Sequence, residues 1–255
     1  MKTHIVWDWD GTLADTYPVT NSAYAHTFKK LDMEDQTISF AEVKRITSTM
    51  QNKDILGCVF GEKKEEARKH FYEYIGENHA KALEPIKGSR HILDYCHQKK
   101  FNSYLLSNKT NKRIESQGRE AYLTQELEQL DMKKYFSRVV GAGEHEEDKP
   151  SLVASKAILG NKDEFPTMDK NDLIIVIGDG EADMKVAQNY KEAGLNTVSV
   201  LYDPKGVYKG KISPDYVIKN LYSVAHVIHS AQKRSIDINK KKDKSQITPK
   251  KQSSR

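Results

Sequence analysis

The sequence is poor in cysteine: Cys58 and Cys96 are the only two in 255 residues. Two cysteines do not make a disulfide framework or a cysteine zinc site, so the expected setting is soluble, reducing and cytoplasmic. Long apolar runs are missing as well. The longest, residues 173–177, has the length of a buried strand, far from the roughly 20 residues of a transmembrane helix. The first ten residues meet charge at once and lack the apolar centre of a signal peptide. No internal repeat at a fixed period is evident. What is there is 37% hydrophobic and 30% charged, polar for a globular chain but enough for a core. That composition excludes wholesale disorder and fibrous assemblies. The length suits one large domain or two small ones.

The net charge of +5 hints at a polyanionic partner. It is not evenly spread. Residues 233–255 hold nine basic residues against two acids, a net of +7, which leaves the rest of the chain at −2. This tail has little apolar content and no period, and is expected to be disordered. It is a solubilising terminus or a contact for an anionic surface, either nucleic acid or membrane.

The body alternates short apolar runs (residues 4–9, 102–106, 138–141, 173–177, 197–201 and 216–218) with helical patterns at 91–99, 152–159 and 182–192. Nearly continuous Val, Ile and Leu marks strands buried on both faces. The alternation predicts an α/β fold, a Rossmann-like doubly wound parallel sheet. Residues 17–83 break the pattern. They contain no convincing strand, and Ala67, Phe71, Tyr74, Ile75 and Ala82 fall near helical spacing. The expected division is a core of residues 1–16 and 84–232, an inserted helical unit of 17–83, and the basic tail of 233–255. The polar stretch 111–134 carries few expected core positions, and the segment 161–172 looks extended.

Four short segments carry candidate chemistry. The first apolar run ends in Asp8-Trp9-Asp10-Gly11-Thr12. Strand residues at i and i+2 share a side, so Asp8 and Asp10 project together at a carboxyl end, where open α/β sheets hold ligands. Trp9 should point away, into packing. Gly11 permits a tight turn that opens backbone amides to an anion. A second carboxylate pair, Asp179 and Asp183, follows the 173–177 run. Asp8 and Asp179 on adjacent strands would offer Mg²⁺ hard oxygen ligands. Ser107-Asn108 ends a third run and can donate to phosphate. Lys149, before Pro150 at a helix start, adds positive charge. Each has an ordinary reading alone: Ser107-Asn108 as a helix cap, Lys149 as a solvated lysine, Asp183 as a carboxylate at a helix N-terminus. Their joint placement at strand ends and helix starts selects the catalytic reading.

These segments, in this order, resemble the haloacid dehalogenase superfamily, in particular its phosphoglycolate-phosphatase-like group. Asp8–Thr12 with Leu13-Ala14-Asp15-Thr16 resembles its first motif, Ser107-Asn108-Lys109 the second, Lys149-Pro150 the third, and Gly178-Asp179 with Asp183 the fourth. Pro85-Ile86-Lys87-Gly88 resembles the segment that re-enters the family's core, and the likeness spans about residues 3–228. The resemblance implies a core with an inserted helical cap and a Mg²⁺-dependent phosphatase acting on a small phosphorylated metabolite. Asp8 would be the nucleophile that forms an aspartyl-phosphate, and Asp10 the general acid and base. Asp8, Asp179 and the Asp10 carbonyl would bind the metal, and Asp183 would bind it through water or orient the site. Gly11, Ser107, Asn108 and Lys149 would hold the phosphoryl oxygens. Asp10 separates this reading from the dehalogenases, which lack that second carboxylate. The cap cations Lys44, Arg45, Lys53 and Arg68 are candidates to meet an anionic substrate. The alternatives are a phosphoglucomutase-like phosphotransferase and a non-catalytic regulatory or binding protein on the same fold.

Overall fold

The computed structural model describes residues 1–33, 38, 42, 52–81, 83–111, 122–160, 169 and 172–246, with backbone alone at 52–54 and 238–246. In chain order the elements are β1 (Thr3–Trp7), β2 (Ala14–Asp15), α1 (Tyr17–Lys30), α2 (Asn52–Phe60), α3 (Lys64–Asn78), β3 (Glu84–Pro85), α4 (Ser89–Gln98), β4 (Asn102–Thr110) and α5 (Tyr122–Gln129). They continue with β5 (Arg138–Ala142), α6 (Leu152–Leu159), β6 (Leu173–Gly178), α7 (Glu181–Glu192), β7 (Thr197–Tyr202), β8 (Tyr216–Ile218) and α8 (Val224–Gln246). Six strands form one parallel sheet in the order β5-β4-β1-β6-β7-β8. Among the described residues, no helix is long and apolar enough to cross a membrane.

The two-residue period of the strands builds a core on each face of the sheet. Ile5, Trp7, Ile175 and Ile177 face one core, shared with Ile92 of α4 and Ile228 of α8. Val6, Ile174 and Val176 face the other, shared with Ile158 of α6 and Val186 of α7. Helices on both faces are what near-continuous apolar strands require. Ile175 is fully buried at the centre. Ile175→Ala should therefore destabilise the fold by about 2–5 kcal/mol, read by urea denaturation. An unchanged midpoint would contradict this packing.

The inserted segment leaves and returns through a two-stranded ribbon. Asp15 pairs with Glu84, and Ala14 with Pro85, antiparallel. Between them α1, α2 and α3 bury a separate apolar cluster that includes Tyr24, Phe28, Leu56, Phe60 and Phe71. The ribbon brings both ends of the insert beside Asp10, so the insert stands over the end of β1.

Three expectations are corrected. β4 does not stop at Leu106 but runs to Thr110, because Thr110 pairs again with Ala142 after a register shift. Ser107, Asn108 and Lys109 thus lie on a strand. The 111–134 stretch, expected to bury little, buries Tyr122, Leu123, Glu126, Leu127, Leu130 and Met132; its residues 112–121 lie outside the described residues. Most of 161–172 lies outside them too. Finally, the last helix does not end at Gln232. α8 runs to Gln246, and Val224, Val227, Ile228, Ala231 and Ser235 keep one buried face at helical spacing. Asn196 donates to Ser235 Oγ at 3.1 Å. Residues 247–255 of the tail lie outside the described residues.

Candidate active site

Parallel strands point their carboxyl ends to one edge, and there β1 delivers Asp8 and β6 delivers Asp179. Asp183 comes from the first turn of α7, where its Oδ2 accepts from the Gly180 amide at 3.1 Å. All three aspartates are buried, and ligand oxygens from each lie within 4.8 Å of one another. Two glycines make room for this. A side chain at Gly178 would collide with the Asp183 carboxyl group, and one at Gly11 with Asp179 Oδ2 and the Tyr17 ring. Gly11 also sits at φ 73°, a left-handed conformation that glycine alone adopts without cost.

Lys149 reaches into this group. Its Nζ donates to Asp8 Oδ1 at 2.5 Å, to Asp183 Oδ1 at 2.7 Å and to the Leu106 carbonyl at 3.2 Å. Burial alone would lower the lysine's proton affinity, but Asp183 and Asp8 outweigh it and hold the ammonium above its ordinary value. Burial pushes the Asp8 carboxyl up to about 7, against Lys149 and with Asp183 and Asp10. Burial likewise raises Asp183. The donor set is three buried carboxylates with one lysine shared between two of them. That surplus of negative charge on hard oxygens fits a divalent cation such as Mg²⁺.

Asp10 occupies different ground. Its side chain is 37% exposed, and Lys109 Nζ meets Oδ1 at 2.8 Å. Lys109 is held in turn by Glu126, at 2.6 and 2.8 Å to the two carboxylate oxygens. Glu126 Oε2 also accepts from the Trp9 indole at 2.6 Å. Trp9 does point away from its neighbouring aspartates, as the alternation predicts, and it anchors the glutamate that fixes the lysine beside Asp10. Asp10 and Glu126 more than offset the cost of burying Lys109 and keep it charged.

The expected phosphate-holding residues differ in how the structure uses them. Ser107 lines the cavity, and its Oγ accepts from the Lys109 amide at 3.0 Å. Asn108 Nδ2 donates to the Lys149 carbonyl at 2.8 Å, so that side chain braces the lysine loop. The Gly11 amide donates to the Ala14 carbonyl at 2.9 Å. The turn at Asp10–Ala14 consumes that N–H, so Gly11 contributes space here and not the free amide expected of it. Of the expected cap cations, Lys44 and Arg45 lie outside the described residues, and Lys53 is described by its backbone alone. Arg68 pairs with Glu65 at 3.5 Å and does not line the cavity.

Sequence reasoning gave no role to Tyr17, Lys109 or Glu126. Tyr17 donates to Asp179 Oδ2 at 2.7 Å, and all three line a cavity of about 210 Å³ with Asp8, Asp10 and Lys149. A signal for Glu126 was present: it lies four residues after Tyr122 and three after Leu123, on the apolar face of α5.

The chain matches the sequence pattern of the family described as haloacid dehalogenase-like hydrolase over residues 5–200. Similar solved structures include a predicted phosphoglycolate phosphatase from Haemophilus somnus, 17% identical with a TM-score of 0.65, covering 88% of this chain and 96% of that one. A protein from Thermotoga maritima described as a beta-phosphoglucomutase is 17% identical with a TM-score of 0.61, covering 90% and 99%. A Bacillus subtilis protein assigned to the HAD hydrolases, bound to magnesium, is 15% identical with a TM-score of 0.59, covering 89% and 99%. At these identities the likeness is one of fold. No curated protein sequence matches the chain.

Proposed function

Because the chain belongs to the haloacid dehalogenase-like hydrolase family, we propose that it hydrolyses small phosphomonoesters by way of a phosphoryl group carried on Asp8, with Mg²⁺ as cofactor. The observation that carries this reading is the contrast between two carboxylates in one cavity. Asp8 is buried among Lys149, Asp179 and Asp183, while Asp10 is half-open and tied to Lys109.

The division of labour follows from these surroundings. Asp8 attacks phosphorus as the bond to the ester oxygen breaks, and the leaving alkoxide takes its proton from Asp10. Asp10 then receives a proton from water as the water oxygen attacks the same phosphorus, and Asp8 is freed as carboxylate. Lys149 supplies fixed positive charge against the phosphoryl oxygens, and Ser107 supplies a hydroxyl. Asp8, Asp179 and Asp183 are the residues that would hold Mg²⁺, which when bound neutralises charge developing on the transferring group. A phosphotransferase of mutase type would use the same groups and pass the phosphoryl to a second hydroxyl in place of water.

Hydrolysis of an aryl phosphate, followed by release of inorganic phosphate, tests this. With Mg²⁺ the protein should turn over, and an excess of chelator should reduce the rate by about a hundredfold or more. A folded, Mg²⁺-loaded protein inert towards a broad panel of phosphomonoesters would refute the proposal.

A further inference from the structure

Asp10 is held by a closed ring of contacts. Lys109 Nζ lies 2.8 Å from Asp10 Oδ1 and donates to Glu126 Oε1 and Oε2 at 2.6 and 2.8 Å. Glu126 Oε2 accepts from the Trp9 indole at 2.6 Å. Trp9 and Asp10 are consecutive, so the peptide bond between them closes the ring. Its members come from three places well separated in sequence: the turn after β1, the strand β4 and the helix α5. Trp9 is fully buried and Glu126 is 1% exposed. The ring converts packing in the interior into a fixed position for a carboxylate that is itself half-open.

Packing does not ask for this glutamate. Its neighbours on the inward face of α5, Tyr122, Leu123 and Leu127, are large and buried. An ion pair taken out of water gains little over apolar side chains of the same volume, so a leucine at 126 would serve a structural role as well. The glutamate does what a leucine would not. Both of its oxygens engage Lys109, which sets the direction in which the ammonium faces Asp10. It also balances the lysine's charge, so Lys109 reaches the cavity as half of a neutral pair. An ammonium donates and never accepts. Of the two oxygens of a protonated carboxyl group, the carbonyl oxygen is the better acceptor. Oδ1, beside the ammonium, is then the carbonyl oxygen, and the proton sits on Oδ2.

We infer, on the basis of the phosphatase reading, that Glu126 is a positioning residue for the acid step: acting through Lys109, it orients the Asp10 carboxyl group so that Oδ2 presents its proton to the leaving oxygen. As the ester's phosphorus–oxygen bond breaks and Asp8 takes the phosphoryl group, the Oδ2 proton moves to the departing alkoxide oxygen, and Asp10 is left as carboxylate. Among the described residues Glu126 bonds to Lys109 and Trp9, and not to Asp8, Lys149 or Ser107, so its loss falls on this step.

The cost of a misplaced acid depends on the leaving group. Nitrophenolate departs as a stable anion and needs little protonation, whereas a benzyl alkoxide must be protonated as it leaves. The test is kcat/KM, which covers the reaction up to loss of the alcohol, for para-nitrophenyl phosphate and benzyl phosphate with the Mg²⁺-loaded full chain. Glu126→Gln, which keeps the shape of the side chain, should lower the benzyl ester by about tenfold more than the nitrophenyl ester. Lys109→Met should shift the ratio at least as far. The double variant should match Lys109→Met, because Glu126 acts only through the lysine. The double variant removes both buried charges at once, so a shifted ratio there upholds the inference even where a single variant, left with one charge unpaired, fails to fold. Both esters lowered by the same factor, a ratio unmoved in Glu126→Gln and in the double variant, or effects that multiply in the double variant would overturn the inference and leave the phosphatase standing. A wild type that hydrolyses neither ester would refute the phosphatase reading and the inference with it.

Discussion

Asp8→Asn is expected to lower turnover of an aryl phosphate by about 10⁴-fold or more, since an amide at this position cannot carry the phosphoryl group and the remaining groups act only in concert with it. The substitution keeps the shape of the side chain, and its stability signature has a definite sign. Burial raises the Asp8 carboxyl to about 7, above the value near 4 of an unfolded aspartate. A group whose affinity for protons is higher in the folded state stabilises the fold fully at low pH, and that contribution is lost as pH rises through the folded value. In chelator, the wild type should therefore lose stability from this group between about pH 4 and pH 7. Asp8→Asn lacks that titration, so its melting temperature relative to the wild type should climb over the same range. Added Mg²⁺ should raise the wild type and do less for the variant. A variant with near-normal turnover, or a difference in melting temperature flat with pH, would contradict the role given to Asp8.

Lys149→Met should have the largest effect on folding. Lys149 Nζ contacts both Asp8 and Asp183, with Asp179 beside them in the buried triad, so removing the ammonium takes the paired cation from Asp8 and Asp183. Methionine fills much of the space of the lysine stem, which isolates the loss of charge from the loss of packing. Breaking a buried ion pair from one side costs about 3–5 kcal/mol, because the surviving charge stays desolvated and unpaired. Urea denaturation in chelator should show that loss, and Mg²⁺ should recover part of it by occupying the same carboxylates. Activity should fall by about 10²–10³-fold even where the protein remains folded, through loss of charge against the phosphoryl oxygens. A change in stability under about 0.5 kcal/mol would mean that these carboxylates are neutralised in some other way.

Much of this arrangement was legible in the sequence. The apolar runs at 173–177 and 197–201 are continuous because both faces of β6 and β7 are covered, and burial on both faces leaves that signature in any chain. Asp8, Asp10, Asp179 and Asp183 were legible because each falls at a strand end or a helix start, a place set by local pattern. What local pattern does not carry is pairing across the chain. Lys109 lies beside Asp10 because Glu126, 17 residues on, and Trp9 close the chain of contacts. Glu126 sits in a polar stretch whose charged residues read as solvated, and only the phase of Tyr122, Leu123 and Leu127 shows that its face is inward. The Gly11 amide was assigned to phosphate by the family resemblance and by a turn that opens backbone amides, and the Ala14 carbonyl, which takes the Gly11 N–H, is a detail of turn closure. The basic tail was read from composition, whereas α8 persists past Gln232 on one buried face that overall composition conceals.

The account stands on Asp8 becoming the phosphoryl carrier, and that is open to direct chemical capture. The Mg²⁺-loaded wild-type protein, quenched in acid while turning over an aryl phosphate and then reduced with borohydride, should yield a peptide with homoserine at position 8, because borohydride reduces an acyl phosphate and spares a free carboxylate. Asp10 in the same peptide should remain aspartate, and no homoserine should form without substrate. Aspartate retained at position 8 in protein quenched during active turnover, or homoserine formed at position 10, would contradict the account.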